Sequence, residues 1–357
     1  MQETPKSTLV PLAGPNLGLG FIVFCLVALV LFVARDILIP FMVAVCLWYL
    51  INVIARIYAH IRVATITLPR AWCLPLGVVT AVLLLWMIVQ VVSSNIALVA
   101  TAAPNYQHNL EMILPKLIAF LGLEEETTIL ELARNLDLAV IIAFIAKNLS
   151  GLAGKTIVVF FYTLFLLNEQ RFFKKKLTGI FPNSSTLVRV EKIIQDVDIK
   201  TQRYLLVKIV IGALTGSYTF LVLRYYGVDF GQFWGLLAFI LNFIPYLGSI
   251  VAVILPALIS LVQFGDISTF GIVALYLTVL QMSLGNFIDP RLLGESLNLS
   301  PIMILLSIAT WGMLWGVAGM FLAVPILLAM VILLSQFPRT RPLAIMFSRT
   351  GEIGGIE

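Results

Sequence analysis

From Phe230 to Phe264 the chain carries no charged residue, yet Asn242, Pro245 and Gly248 interrupt that apolar run near its middle. A helix crossing a bilayer needs about 20 apolar residues, so the run is too long for one straight span. Proline removes a backbone donor and glycine tolerates non-helical backbone. The break therefore frees polar groups that lipid cannot satisfy, and it has to face protein or a water-filled cavity. Broken helices at membrane depth are also where transporters hold their substrates.

Similar apolar runs recur along the chain. Hydrophobic residues make up 61% of the 357 and charged residues 11%, with a mean hydropathy of +1.04. These values exclude an ordinary soluble domain and define an all-α, polytopic membrane protein. The net charge of +5 does not signal nucleic acid, because the basic residues lie between apolar runs, where the positive-inside rule accounts for them. Cys25, Cys46 and Cys73 fall in or beside apolar segments and behave as small hydrophobes. His60 and His108 lack partners at ligand spacing, so neither a metal site nor any other cofactor is expected.

Taken in order, residues 1–92 hold three spans. The first, about Gly18 to Val33, has no cleavage signal and is read as retained. Ala34, Arg35 and Asp36 predict a tight hairpin into the second, Ile37 to Ile54, with Pro40 in its first turn. A loop with Arg56, His60, Arg62 and Arg70 and no carboxylate marks the cytoplasmic side. Leu74 to Val92 is the third span. Residues 93–150 form a small extracytoplasmic insert, acidic through Glu111, Glu124, Glu125, Glu126, Glu131 and Asp137, with Leu110, Ile113, Leu114, Leu117 and Ile118 at helical spacing. A fourth span occupies 151–168. The linker 169–204 is basic and amphipathic, with Leu187, Val190, Ile193, Ile194, Val197 and Thr201 on one face, as in a helix lying on anionic lipid. Residues 205–337 form a C-terminal membrane core with broken segments at 231–264 and 301–335, and 338–357 form a cytoplasmic tail, which puts both termini inside.

The two broken segments enter from opposite sides, which is the pattern of an inverted repeat. Gly248, Ala252 and Pro256 follow the first break, and Gly319, Ala323 and Pro325 follow the second. Paired Gly/Pro-interrupted segments point to a transport site between repeats, although both residues are common in membrane helices generally. Residues 231–264 fit either a re-entrant hairpin or two short crossings, since both return the chain to the same side.

Few motifs carry chemistry. Gly154-Lys155-Thr156 resembles the end of a phosphate-binding loop, but Leu149 replaces its first glycine and no strand precedes it. Catalysis is not expected, because neither histidine lies within a span to serve a nucleophile. Asp289 is the main carboxylate near a span; it is read as a gating or coupling residue paired with Arg291 or with a basic group from another span, against a helix cap or surface ion pair. Asn242, Tyr246, Gln281 and Asn286 are candidates to coordinate a polar solute beside Pro245 and Gly248, against plain interhelical hydrogen bonding. Gly312, Gly316 and Gly319 form the second break. Trp311 and Trp315 read as interfacial anchors.

Asn242-Phe-Ile-Pro-Tyr-Leu-Gly248, Gly285-Asn-Phe-Ile-Asp-Pro-Arg-Leu-Leu-Gly294, Leu299-Ser-Pro301, Trp311-Gly-Met-Leu-Trp-Gly316 with Gly319-Met320, and Ala323-Val-Pro325 together closely resemble the autoinducer-2 exporter family. The resemblance implies a bacterial inner-membrane permease that forms homo-oligomers, with pentamers expected, and that contacts membrane lipids. It implies export of a small polar or amphiphilic solute such as autoinducer-2, or, as in other members, sodium/proton antiport. The scarcity of intramembrane carboxylates weighs against a strong cation antiporter. A channel-like or scaffold protein without active transport is the reading from another class.

Overall fold

The computed structural model describes residues 16–60, 62–63, 66–67, 69–121, 156–293 and 298–352. The acidic residues Glu124 to Asp137 and the Gly154-Lys155 pair lie outside the described residues. Helix α1 (Asn16–Val33) is followed by α2 (Arg35–His60), a two-residue antiparallel pair β1 (Arg62–Val63) and β2 (Ile66–Thr67), and α3 (Arg70–Leu121). After residue 155 come α4 (Thr156–Ile180), α5 (Ser184–Tyr225), α6 (Gly231–Leu241), α7 (Leu247–Phe264) and α8 (Ile267–Ser283). A π-helical turn, Leu284–Ile288, leads into α9 (Asp289–Leu293), then α10 (Pro301–Ser335) and α11 (Arg341–Phe347). Among the described residues, five helices or parts of helices are long and apolar enough to cross a membrane: Arg35–Ala59, Ala71–Asn95, Ser184–Tyr225, Leu247–Phe264 and Pro301–Ser335. The chain is a helical polytopic membrane protein.

Several helix ends differ from the expected span ends, each for a local reason. The expected hairpin at Ala34 is an elbow. Ala34 N–H donates to the Val30 carbonyl at 2.8 Å and Leu38 N–H to the Ala34 carbonyl at 2.9 Å, and α1 packs much less on α2 than α2 does on α3. No Gly or Pro stands there to turn the chain. Helix α3 runs past Val92 because its polar residues satisfy themselves along the helix. Ser94 Oγ donates to the Gln90 carbonyl (2.8 Å) and Asn95 Nδ2 to the Val91 carbonyl (2.7 Å), so neither opens the ladder. The basic linker and fifth span are likewise one helix, α5, about 63 Å long at 1.5 Å per residue. Asn183 caps it by accepting from Ser185 N–H. Its linker face is not free to lie on lipid, since Ile193 and Val197 pack against a buried cluster around Tyr204, Phe243 and Leu328.

Polar ties position the bundle. Trp48 Nε1 and Asn52 Nδ2 of α2 both donate to Gln170 Oε1 of α4, at 2.8 and 3.3 Å. Beyond the apolar part of α3, Tyr106 Oη donates to Asp229 Oδ2 at 2.8 Å, and Gln263 bridges Asp229 N–H (2.7 Å) to the Gly227 carbonyl (2.9 Å). Burial and the neighbouring Asp229 push the Tyr106 hydroxyl well above its ordinary value. At the opposite end, Leu299 pairs with Ser348, and Ala344 of α11 is fully buried in the Tyr204–Phe243 cluster.

Candidate functional site

Helix α5 lays down the first wall. Gly216 and Gly235 face each other so closely that a Cβ on either would lie 2.6–2.7 Å from the other's carbonyl oxygen. Small residues of this kind let membrane helices approach backbone to backbone. Helix α6 therefore runs tightly along α5, but it is only about 16 Å long against a hydrocarbon core of about 30 Å. Ending at Asn242, it is too short to cross that thickness alone. The chain turns through Phe243, Ile244, Pro245 and Tyr246, the last at φ 62°, and returns as α7.

The turn closes around a glycine. A Cβ on Gly248 would sit 1.7 Å from the Leu241 carbonyl oxygen, a distance no side chain tolerates. Asn242 is buried and donates from Nδ2 to Thr215 Oγ1 of α5 at 3.1 Å, so its amide is committed to an interhelical bond. Pro245 is half-buried and Tyr246 exposed at the tip.

The second broken segment repeats the device. Although α10 spans Pro301–Ser335, Gly316 has φ 65° and ψ −145° within it, and residues on either side meet. Ser307 Oγ donates to the Ala323 carbonyl at 3.0 Å, a Cβ on Gly312 would lie 3.0 Å from Met320, and one on Gly319 would lie 1.9 Å from the Trp311 carbonyl. The helix is thus two antiparallel arms folded back near Gly316. Gly319 plays toward Trp311 the part that Gly248 plays toward Leu241. Trp315 is no surface anchor: it is buried, and its Nε1 donates to the Leu31 carbonyl of α1 at 3.0 Å. That carbonyl belongs to the last turn of α1, where helical partners run out.

The two hairpins meet tip to flank. Phe243 stacks on Phe321 with ring centroids 4.7 Å apart and planes at 25°, and Ile244 packs with Ile308 and Ala323. Beside this junction lies an ion pair. Lys208 Nζ of α5 is 2.7 Å from Asp289 Oδ2, with the two side chains only 6% and 21% exposed. The π turn packs Leu284 and Ile288 on Val207 and Ile211, which sets Asp289 against Lys208; such turns inside helices mark functional sites often. Asp289 Oδ1 is buried and has no hydrogen-bond partner among the described residues.

Asp289 thus takes its partner from another span, as one of the two expected pairings has it. The other, Arg291, is exposed. Gln281 is half-buried on α8. The side chain of Asn286 lies outside the described residues. Sequence reading missed Lys208 as a site residue because it closes a run of lysines and arginines; its flanks, Val207 and Ile209, were the available signal. Tyr204 was missed as well. Its ring is buried, its Oη donates to the Phe243 carbonyl at 3.3 Å, and Lys208 Nζ stands 6.0 Å from its centroid.

Two broken hairpins joined beside a buried charge pair within a helical bundle define a membrane transport protein. The chain belongs to the AI-2E transporter family, whose model matches residues 19–339. It is 29% identical to a putative transport protein of Haemophilus influenzae, over 91% of this chain and 93% of that one. It is 26% identical to the AI-2 transport protein TqsA of Escherichia coli, over 93% and 94%. A sodium-lithium/proton antiporter of Halobacillus andaensis is 27% identical over 55% of each chain.

Proposed function

We propose that this protein is a bacterial inner-membrane permease that exports a small polar or amphiphilic solute of the autoinducer-2 type, along a pathway between the two hairpins. The observation that carries the reading is the seat of the Lys208–Asp289 pair beside the Phe243–Phe321 contact. A charge pair inside a membrane bundle is costly to bury, so its presence points to a pathway or a coupling step. Here Asp289 and Lys208 gate or couple the movement of one hairpin against the other, and Tyr246 and Gln281 line the route. The full-length similarity to TqsA supports the solute class.

Sodium/proton antiport is the second reading. It is favoured by the same carboxylate, whose Oδ1 is unpartnered among the described residues, and by the similarity to the Halobacillus andaensis antiporter. The basic residues at the helix ends support a cytoplasmic side for both termini under the positive-inside rule, and Lys174 and Lys175 suit anionic lipid. The exposed apolar face of α1, including Phe21, Leu26, Leu29 and Phe32, suits lipid or a second copy in a homo-oligomer such as a pentamer.

The test is flux in liposomes. The protein is reconstituted and autoinducer-2, sodium and proton movement are followed under imposed gradients. Solute flux above empty liposomes that Asp289→Asn abolishes, with assembly intact, supports the permease. Cation-for-proton exchange without solute flux supports the antiporter. No movement of any of the three supports the channel-like or scaffold reading.

A further inference from the structure

We infer that Tyr204 is a positioning residue that transmits the state of the Lys208–Asp289 pair to the tip of the first hairpin; the inference rests on the transport reading above. Tyr204 lies one helical turn before Lys208 on α5, so both side chains leave the same face. Its ring is 2% exposed and packs in one cluster with Phe243, Val324, Leu328 and Ala344.

At the break, the helical ladder fails locally. Leu247 N–H, which would bond the Phe243 carbonyl in a continuous helix, bonds the Pro245 carbonyl instead at 2.7 Å. The Phe243 carbonyl receives the Tyr204 hydroxyl at 3.3 Å. That phenol therefore supplies a bond that the fold removed from a buried carbonyl, and losing it leaves the carbonyl unpaired. On its other side Tyr204 faces the ammonium that Asp289 holds, with Lys208 Nζ 6.0 Å from the ring centroid. A cation over the ring steadies it. When the pair opens, Lys208 leaves its carboxylate and the ring loses that fixed neighbour. The hydroxyl then lets go of the tip, and Phe243 is free to leave Phe321.

A core tyrosine that merely satisfied its own hydroxyl would show no dependence on Asp289. The experiment is a double-substitution cycle in which Cys25, Cys46 and Cys73 are replaced by alanine and Ser249→Cys reports on the hairpin. Labelling by a hydrophilic maleimide is timed at one pH in nanodiscs, where both membrane faces are open. Tyr204→Phe keeps the ring and its packing and removes only the hydroxyl, and size-exclusion behaviour verifies assembly. Tyr204→Phe and Asp289→Asn are each expected to speed labelling on the order of fivefold, the worth of one hydrogen bond, and the double variant to label no faster than either. Labelling of Tyr204→Phe at the parent rate overturns the inference, as do two effects that multiply. If Asp289→Asn transports like wild type in liposomes while the two labelling effects remain non-multiplicative, the coupling role of the pair falls and the Tyr204 link stands.

Discussion

Lys208 of α5 and Asp289, the first residue of α9, form an ion pair with Nζ and Oδ2 2.7 Å apart, and Lys208 is the more deeply buried partner. Removing one member of a buried pair leaves an uncompensated charge and costs about 3–5 kcal/mol, whereas replacing both with apolar groups is often neutral. Lys208→Met alone is therefore expected to destabilise the protein more than Lys208→Met with Asp289→Leu. Thermal unfolding in detergent, followed by the midpoint of each variant, checks this. A double variant as unstable as the single would show that Asp289, left without Lys208, carries no penalty of its own, contrary to this expectation.

Gly248 and Gly319 are expected to reject even alanine. Each added methyl would meet a backbone carbonyl inside 2 Å, at 1.7 Å and 1.9 Å, so the hairpin must open. Backbone shifts forced by overpacking cost about 1–3 kcal/mol or more. Gly271→Ala and Gly285→Ala, where nothing lies within 4 Å, are the controls. Their unfolding midpoints should stay near wild type while those of Gly248→Ala and Gly319→Ala fall.

Asn242 separates a ligand from a strut. With its amide spent on Thr215, Asn242→Leu is expected to lose about 0.6–1 kcal/mol of stability, the scale of an interhelical bond in a membrane. The concentration giving half-maximal flux should not move. A tenfold weakening of apparent solute affinity at unchanged stability would instead make Asn242 a pathway residue.

Asp266 caps α8. Its carboxylate accepts from Thr269 Oγ1 at 2.7 Å and from the backbone N–H groups of Thr269 (2.9 Å) and Ser268 (3.2 Å), and those bonds hold its pKa below the ordinary carboxylate value. The sign follows from the depressed folded pKa: the cap stabilises fully above the unfolded carboxylate value and is lost as pH falls through the lowered folded one. Asp266→Ala should therefore separate from wild type at neutral pH and converge with it in strong acid. Unfolding midpoints across that range check the convergence.

Much of this architecture is legible in the sequence, because apolar runs and their interruptions obey the bilayer directly. Pro245 and Gly248 mark the first turn, and Gly312, Gly316 and Gly319 the second, since proline interrupts a helix and glycine admits the close backbone approach each turn needs. Asp289 stands out as a carboxylate near apolar sequence. Helix ends are less legible, because Ser94 and Asn95 look like a boundary yet bond back along their own helix. Lys208 is hidden by the basic residues before it. Tyr204 carries no sequence signal at all: its role depends on Phe243, distant in the chain and brought near by the hairpin.

The central claim is that transport requires the two hairpins to part where Phe243 stacks on Phe321. In the cysteine-free background, Phe243→Cys with Phe321→Cys is oxidised in liposomes and flux is measured before oxidation, after it, and after reduction. Flux is expected to stop on cross-linking and return on reduction. Undiminished flux through fully cross-linked protein would contradict the account.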